Sequence, residues 1–113
     1  MDCIFCKIAS GEIPAEIVYE NEHVVAFKDI APEAPVHIVV IPKKHYTNII
    51  DMDETELSSV LEIHKAIRKI AEDTEIAKDG FRIVNNCNEQ GGQTVFHLHY
   101  HLLGGRNLQW PPG

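Results

Sequence analysis

With 113 residues, 44% of them hydrophobic and 24% charged, the chain suits one compact domain spanning 1–113 and excludes a disordered or fibrous protein. A formal charge of −7 argues against a broad nucleic-acid surface, where lysine and arginine supply most of the affinity, but leaves room for a small anionic ligand held by local donors. The longest apolar runs, such as residues 36–41, are far too short to cross a membrane.

Asp2 and the lack of a basic region before an apolar stretch argue against a signal peptide, and three cysteines, an odd number, point to a reducing cytoplasmic setting. Ile4, Phe5 and Ile8 recur at helical spacing, and Gly11 followed by Pro14 ends that short helix. Residues 16–19 and 24–28 read as a hairpin turning at Glu20, Asn21 and Glu22. Pro32 and Pro35 punctuate a loop before a β-branched apolar run, 36–41, closed by Pro42; this is the third strand.

Asp53 and Glu56 are spaced as a capping box, and Leu57, Val60, Leu61, His64, Ile67 and Ala71 follow on one helical face. Acidic residues crowd the start while Lys65, Arg68 and Lys69 come later, as the helix dipole favours. The main helix is expected to end before Asp79 and Gly80. Residues 81–85 and 96–103 predict the fourth and fifth strands, with a tight Gly91–Gly92 loop between them. The order of elements predicts an α+β meander with its helices on one face of the sheet. The tail 104–113 cannot continue a sheet, and Trp110, next to Pro111 and Pro112, is expected to pack on a partner subunit.

Residues 97–103 read His-Leu-His-Tyr-His-Leu-Leu. A strand sends alternate side chains to opposite faces, so His97, His99 and His101 would form one row ~7 Å apart while Leu98, Tyr100 and Leu102 enter the core. An imidazole titrating near neutrality serves as nucleophile, acid, base or metal ligand. Upstream, Gly91 and Gly92 allow close backbone approach, and Asn86, Gln93 and Thr94 add neutral donors. Neutral donors beside a histidine row suit phosphoryl transfer, with a histidine nucleophile splitting the reaction into two steps. The bland alternative is an idle polar face. His23 and His64 read as structural, Cys87 as a buried or inert thiol, and Lys43–Lys44 as a solvated pair.

The run at 97–103 matches the His-φ-His-φ-His-φ-φ motif, and the chain resembles the histidine triad superfamily of nucleotide hydrolases and transferases. Similarity continues through Ile4–Phe5, Phe27-Lys28-Asp29-Ile30, Ala34-Pro35-Val36-His37, Ile41-Pro42-Lys43-Lys44-His45, Gly91-Gly92-Gln93 and Gly104-Gly105-Arg106. The Trp110-Pro111-Pro112-Gly113 ending is similar to the Hint branch, the purine nucleoside phosphoramidases. The resemblance implies five-stranded antiparallel sheets joined across a homodimer into ten strands. It implies hydrolysis of adenosine 5′-phosphoramidate or related purine nucleotides, aminoacyl-adenylates among the candidates, without a catalytic cofactor. His99 would attack phosphorus, with His101 on the phosphate and His37 behind it. The Gly92 backbone, Gln93 and Thr94, beside Asn86, would bind the phosphate or leaving group, and Val95 would contact the substrate. Asp29 would take the ribose hydroxyls, while Ile4, Phe5, Ile8, Phe27 and Ile30 would form the base slot. Trp110 would reach the partner's site, and the tail 104–113 would lie near it.

Without the family match, Asp29 reads as a turn residue and the apolar set as core. Cys3-x-x-Cys6 with His45 and His97 can supply the four ligands of a closed, structural zinc site, the alternative being two reduced thiols and a surface histidine. The animal Hint pattern usually lacks the second cysteine, so the chain departs from it there. Competing functions are a dinucleoside polyphosphate hydrolase, a zinc hydrolase with an open three-histidine site, and a nucleotide-binding scaffold with little turnover.

Overall fold

The computed structural model describes residues 2–113. A short helix α1 (Ile4–Ser10) precedes strands β1 (Ile17–Glu20), β2 (Val24–Lys28) and β3 (Val36–Pro42). Two 3-10 turns, Ile49–Asp51 and Glu54–Glu56, lead into helix α2 (Ser58–Asp73), and β4 (Phe81–Val84) and β5 (Tyr100–Gly104) complete the chain. The strands form one five-stranded sheet in the order β1-β2-β3-β5-β4, every pairing antiparallel.

The helices lie on opposite faces, contrary to the expectation of one covered face. Val24, Ala26, Ile38 and Val40 share a core with Ile63, Ala66, Ile67 and Ile70 of α2. Val25, Phe27, Val39 and Ile41 point the other way and pack with Phe5, Ile8 and Ala9 of α1. Both faces of β2 and β3 are therefore buried, which is why they read as continuous apolar runs and not as alternating ones. Each fully buried Ile or Leu contributes about 1.5–3 kcal/mol.

The buried stripe of α2 is Ile63, Ala66, Ile67, Ile70 and Ala71; Leu57 and Leu61 stay exposed and His64 only lays its ring edge on Tyr100. The buried face is thus rotated by part of a turn from the expected one. The helix ends at Asp73, before Asp79 and Gly80 as expected but by more than a turn. Thr74 Oγ1 donates to the Ile70 carbonyl at 2.7 Å, Glu75 adopts φ +62°, and Ile76 N–H donates back to the Ala71 carbonyl. That reversal drops Ile76 onto Gly104, where a Cβ would sit 2.7 Å from the isoleucine Cδ1. The capping box of Asp53 and Glu56 is present, but it caps the second 3-10 turn. Lys43 and Lys44 are not merely solvated: they pair with Glu20 at 2.8 Å and Glu56 at 2.6 Å.

β5 begins at Tyr100, four residues later than expected, because β4 runs out opposite His101. Ahead of it the backbone finds other partners. Leu98 N–H donates to the Tyr46 carbonyl at 2.6 Å, and Asn85 Nδ2 donates to the His99 carbonyl at 2.9 Å. The alternation nonetheless holds, with Leu98, Tyr100 and Leu102 in the α2 core.

Candidate active site and metal centre

His37 on β3 and His101 on β5 come together through strand register, since β3 pairs directly with β5. His37 Nδ1 accepts the Glu33 backbone N–H at 3.0 Å, so the proton of neutral His37 sits on Nε2. Nε2 donates to His101 Nδ1 at 2.8 Å, which places the His101 proton on its own Nε2. Asp29 Oδ2 lies 3.4 Å from the same His37 Nε2, while its Oδ1 accepts the Ala31 N–H at 2.8 Å. Asp29, His37 and His101 cluster closely enough for a metal triad, but a tautomer with its proton on the shared nitrogen makes them a hydrogen-bond chain.

His99 has the opposite tautomer. Its Nδ1 donates to the His97 carbonyl at 2.8 Å, leaving the lone pair on Nε2. The His99 and His101 rings are 5.0 Å apart between centroids. One histidine thus offers a lone pair and its neighbour an N–H. Burial, partly opposed by the His97 carbonyl and Asp29, lowers the His99 pKa from its usual value. Burial, then the neighbouring His99 and His37, pushes His101 down to about 4. Both are neutral at physiological pH.

Phe5 sets its ring edge-on to His99 at 5.1 Å and to Phe27 at 5.5 Å, joining the histidines to an apolar cleft of about 490 Å³. Ile4, Phe5, Ile8, Phe27, Asp29, Ile30 and Val95 all line this cleft. Ile13, Pro14, Val39 and the Glu16–Lys28 ion pair line it as well, residues to which the sequence assigns no binding role. Burial of β2 on both faces hides which of its apolar residues border a cavity.

The loop after β4 behaves differently from the expectation for two of its residues. The Gln93 amide is buried: Nε2 donates to the carbonyls of Thr47 and Val95, and Oε1 accepts the Asn88 N–H. Its donors are spent on holding the loop and cannot also bind phosphate. The Gly92 N–H is likewise occupied, by the Glu89 carbonyl at 3.0 Å. Asn86 is half-buried in that loop, and exposed Thr94 lines a shallow hollow with Cys3, His45 and Phe96. Asn85, which carries no motif signal, fixes the His99 backbone. Trp110 is 81% exposed and lies outside the cleft lining.

On the other side of Phe5, Cys3, Cys6, His45 and His97 bring one donor atom each within 4.8 Å of one another. Cys3 caps α1, its Sγ accepting the Cys6 N–H, which points both thiols the same way. His97 is fully buried and donates Nε2–H to the Pro42 carbonyl at 2.9 Å, so Nδ1 presents a lone pair to the cluster. That Nδ1 lies 3.4 Å from Cys3 Sγ, 3.5 Å from Cys6 Sγ and 3.1 Å from His45 Nδ1. Tetrahedral bonds of ~2.0–2.3 Å imply donor separations of ~3.3–3.8 Å; the sulfur–nitrogen separations of 3.3–3.5 Å fall in that range and the His45–His97 pair is slightly shorter, so the set is close to what a zinc-sized ion takes. Burial first, and Cys3 second, raise the Cys6 thiol above its usual range, a penalty that a bound cation would reverse.

A protein-family model described as the HIT domain matches residues 10–108. The chain belongs to the HIT family. An uncharacterised HIT-like protein of Synechococcus elongatus is 47% identical over 112 residues, covering 99% of this chain and 97% of the relative. A HIT family hydrolase of Legionella pneumophila superposes with a TM-score of 0.96 at 46% identity, covering 99% and 100% of the two chains. A histidine triad protein of Clostridium difficile gives 0.95 at 54% identity over 96% and 95%. Among the described residues no helix is long and apolar enough to cross a membrane.

Proposed function

We propose that this HIT protein hydrolyses the P–N bond of purine nucleoside 5′-phosphoramidates, as the Hint branch does. The observation that carries the reading is the opposed tautomers of His99 and His101 beside an apolar cleft edged by Asp29. The base would lie among Ile4, Phe5, Ile8, Phe27 and Ile30, with the ribose hydroxyls on Asp29.

His99 Nε2 attacks the α-phosphorus, the P–N bond breaks, and the leaving nitrogen takes a proton from water and departs as an amine. The nucleotidylated ring is an imidazolium whose Nδ1–H is held by the His97 carbonyl. His101 Nε2–H donates to a phosphoryl oxygen as its charge develops. Water then attacks phosphorus, the P–Nε2 bond breaks, and the water's proton returns to solvent. Asn86 and Thr94 supply further donors at the phosphate end.

Cys3, Cys6, His45 and His97 would hold a structural zinc ion, whose four protein ligands leave no open position for substrate. His97 is therefore assigned to structure and not to the reaction. Exposed Leu57 at the start of α2 and Leu61 on it, with Phe81 and Ile83 on the edge strand β4, support a homodimer formed through this side, joining the sheets and carrying Trp110 to the partner's site. The trapping experiment is direct. Brief reaction with adenosine 5′-phosphoramidate, acid-free quenching and peptide mass spectrometry should place an adenylyl group on His99. An adduct elsewhere, or none during measurable turnover, overturns the mechanism.

A further inference from the structure

We propose that Arg106, in the tail beyond β5, is a positioning residue that sets the tautomers of His37 and His101. The inference rests on the catalytic reading above, deepening it by a residue outside the cleft. Arg106 Nε donates to the Glu33 carbonyl at 2.9 Å, and the N–H of the same Glu33 donates to His37 Nδ1 at 3.0 Å. His37 Nε2 then donates to His101 Nδ1 at 2.8 Å. The tail is bent back onto this loop by Gly105, at φ +92°, where a Cβ would come within 2.9 Å of Pro35 Cβ.

The loop between β2 and β3 has little else to fix its outer half. Ile30 is fully exposed, and residues 30–33 bury no side chain. Its inner end is tied by Asp29 N–H to the His37 carbonyl and by Ala31 N–H to Asp29 Oδ1. Glu33 lies beyond those ties, so the Arg106 bond to its carbonyl anchors the residue whose N–H, one peptide earlier, sets the tautomer. If Glu33 drifts away, His37 can move its proton to Nδ1 through solvent and accept at Nε2. His101 then carries its proton on Nδ1 and turns a lone pair, not an N–H, toward phosphate. Proton count and charge are unchanged; only the donor is lost.

The test is long-range 1H–15N correlation of the histidine rings together with steady-state kinetics. Wild type should show the Nε2–H form for both His37 and His101. Arg106→Ala should populate the Nδ1–H forms and lower kcat by roughly tenfold with KM nearly unchanged, as for loss of one neutral N–H donor to the charged phosphoryl group. Arg106→Lys should restore part of both, and Glu33→Pro, which deletes the N–H itself, should reproduce the tautomer change with Arg106 intact. Retained Nε2–H forms in Arg106→Ala overturn the proposal, as does a KM effect without a kcat effect. If Arg106→Ala does not fold, Arg106→Lys and Glu33→Pro decide by the same spectra. The ring spectra need no turnover, so an inactive wild type with coupled tautomers would defeat the catalytic reading alone.

Discussion

His45 Nδ1 and His97 Nδ1 approach to 3.1 Å, although the His97 proton is committed to the Pro42 carbonyl on the far side of its ring. Either a proton on His45 or a cation must separate two such nitrogens, and two thiols complete the shell. A cation suits all four donors at once, while a proton satisfies one pair. The protein purified without chelator should therefore contain about one zinc per chain by elemental analysis. Cys6→Ser should lose it and lower the thermal midpoint by roughly 10 °C or more, because α1 is then untied from His45, after β3, and from His97. An equally stable Cys6→Ser protein, or a metal-free wild type, would refute the assignment.

The depressed pKa of His101 makes stability depend on pH in a defined direction. An unfolded histidine takes up its proton near 6.5, but the folded one, buried and flanked by His99 and His37 with Asp29 in partial opposition, does so only at about 4. The stabilisation is complete above about 6.5 and is lost as pH falls toward 4. Urea unfolding across that window should show wild type losing stability with acidification, and His101→Gln losing less. The His101 ring resonances should stay those of a neutral imidazole throughout pH 5–7. A midpoint near 6.5 would contradict the buried pair.

Much of this site is legible in residue types, and the illegible part has a common cause. Alternating histidines and the Cys-x-x-Cys announce their chemistry, so His99, His101 and the Cys3/Cys6/His45/His97 set stand out in the sequence itself, whereas His37 and Asp29 are picked out only by the family resemblance. Backbone groups have no such signature. The Glu33 N–H and the carbonyls of His97 and Pro42 fix three imidazole tautomers, yet any residue could supply them. The placement of a helix on each face is hidden because strands buried on both sides lose the alternation that would mark the second layer. The end of α2 is hidden because Glu75 takes the left-handed position usually given to glycine.

Gln93 illustrates how a donor in the right stretch can serve the scaffold. Its amide spans Thr47, Asn88 and Val95, tying the phosphate-side loop to the segment after β3. Gln93→Ala strands those buried groups and should cost about 2–3 kcal/mol in denaturant unfolding. Activity should fall through loosening of Thr94 and Val95 and recover partly at low temperature. A variant as stable as wild type but defective in phosphate binding would assign the Gln93 amide to the ligand and not to the loop.

Asp29 stands between the cleft and the histidine pair, and its two functions can be separated by substrate rather than by pH. One carboxylate oxygen is fixed by Ala31 N–H, the other lies 3.4 Å from His37 Nε2, and the residue lines the cleft. If the ribose hydroxyls donate to this carboxylate, a 2′-deoxy substrate leaves a charged acceptor unpaired. Wild type should then disfavour the 2′-deoxy phosphoramidate by roughly 10- to 100-fold in kcat/KM, the range for hydrogen bonds to charged groups. Asp29→Ala should be weak on both substrates and nearly indifferent to the 2′-hydroxyl. Its His37 ring spectra report separately whether the Nε2–H tautomer survives loss of the nearby carboxylate. Undiminished discrimination in Asp29→Ala would assign ribose recognition to another group and leave Asp29 as a turn residue that merely neighbours His37.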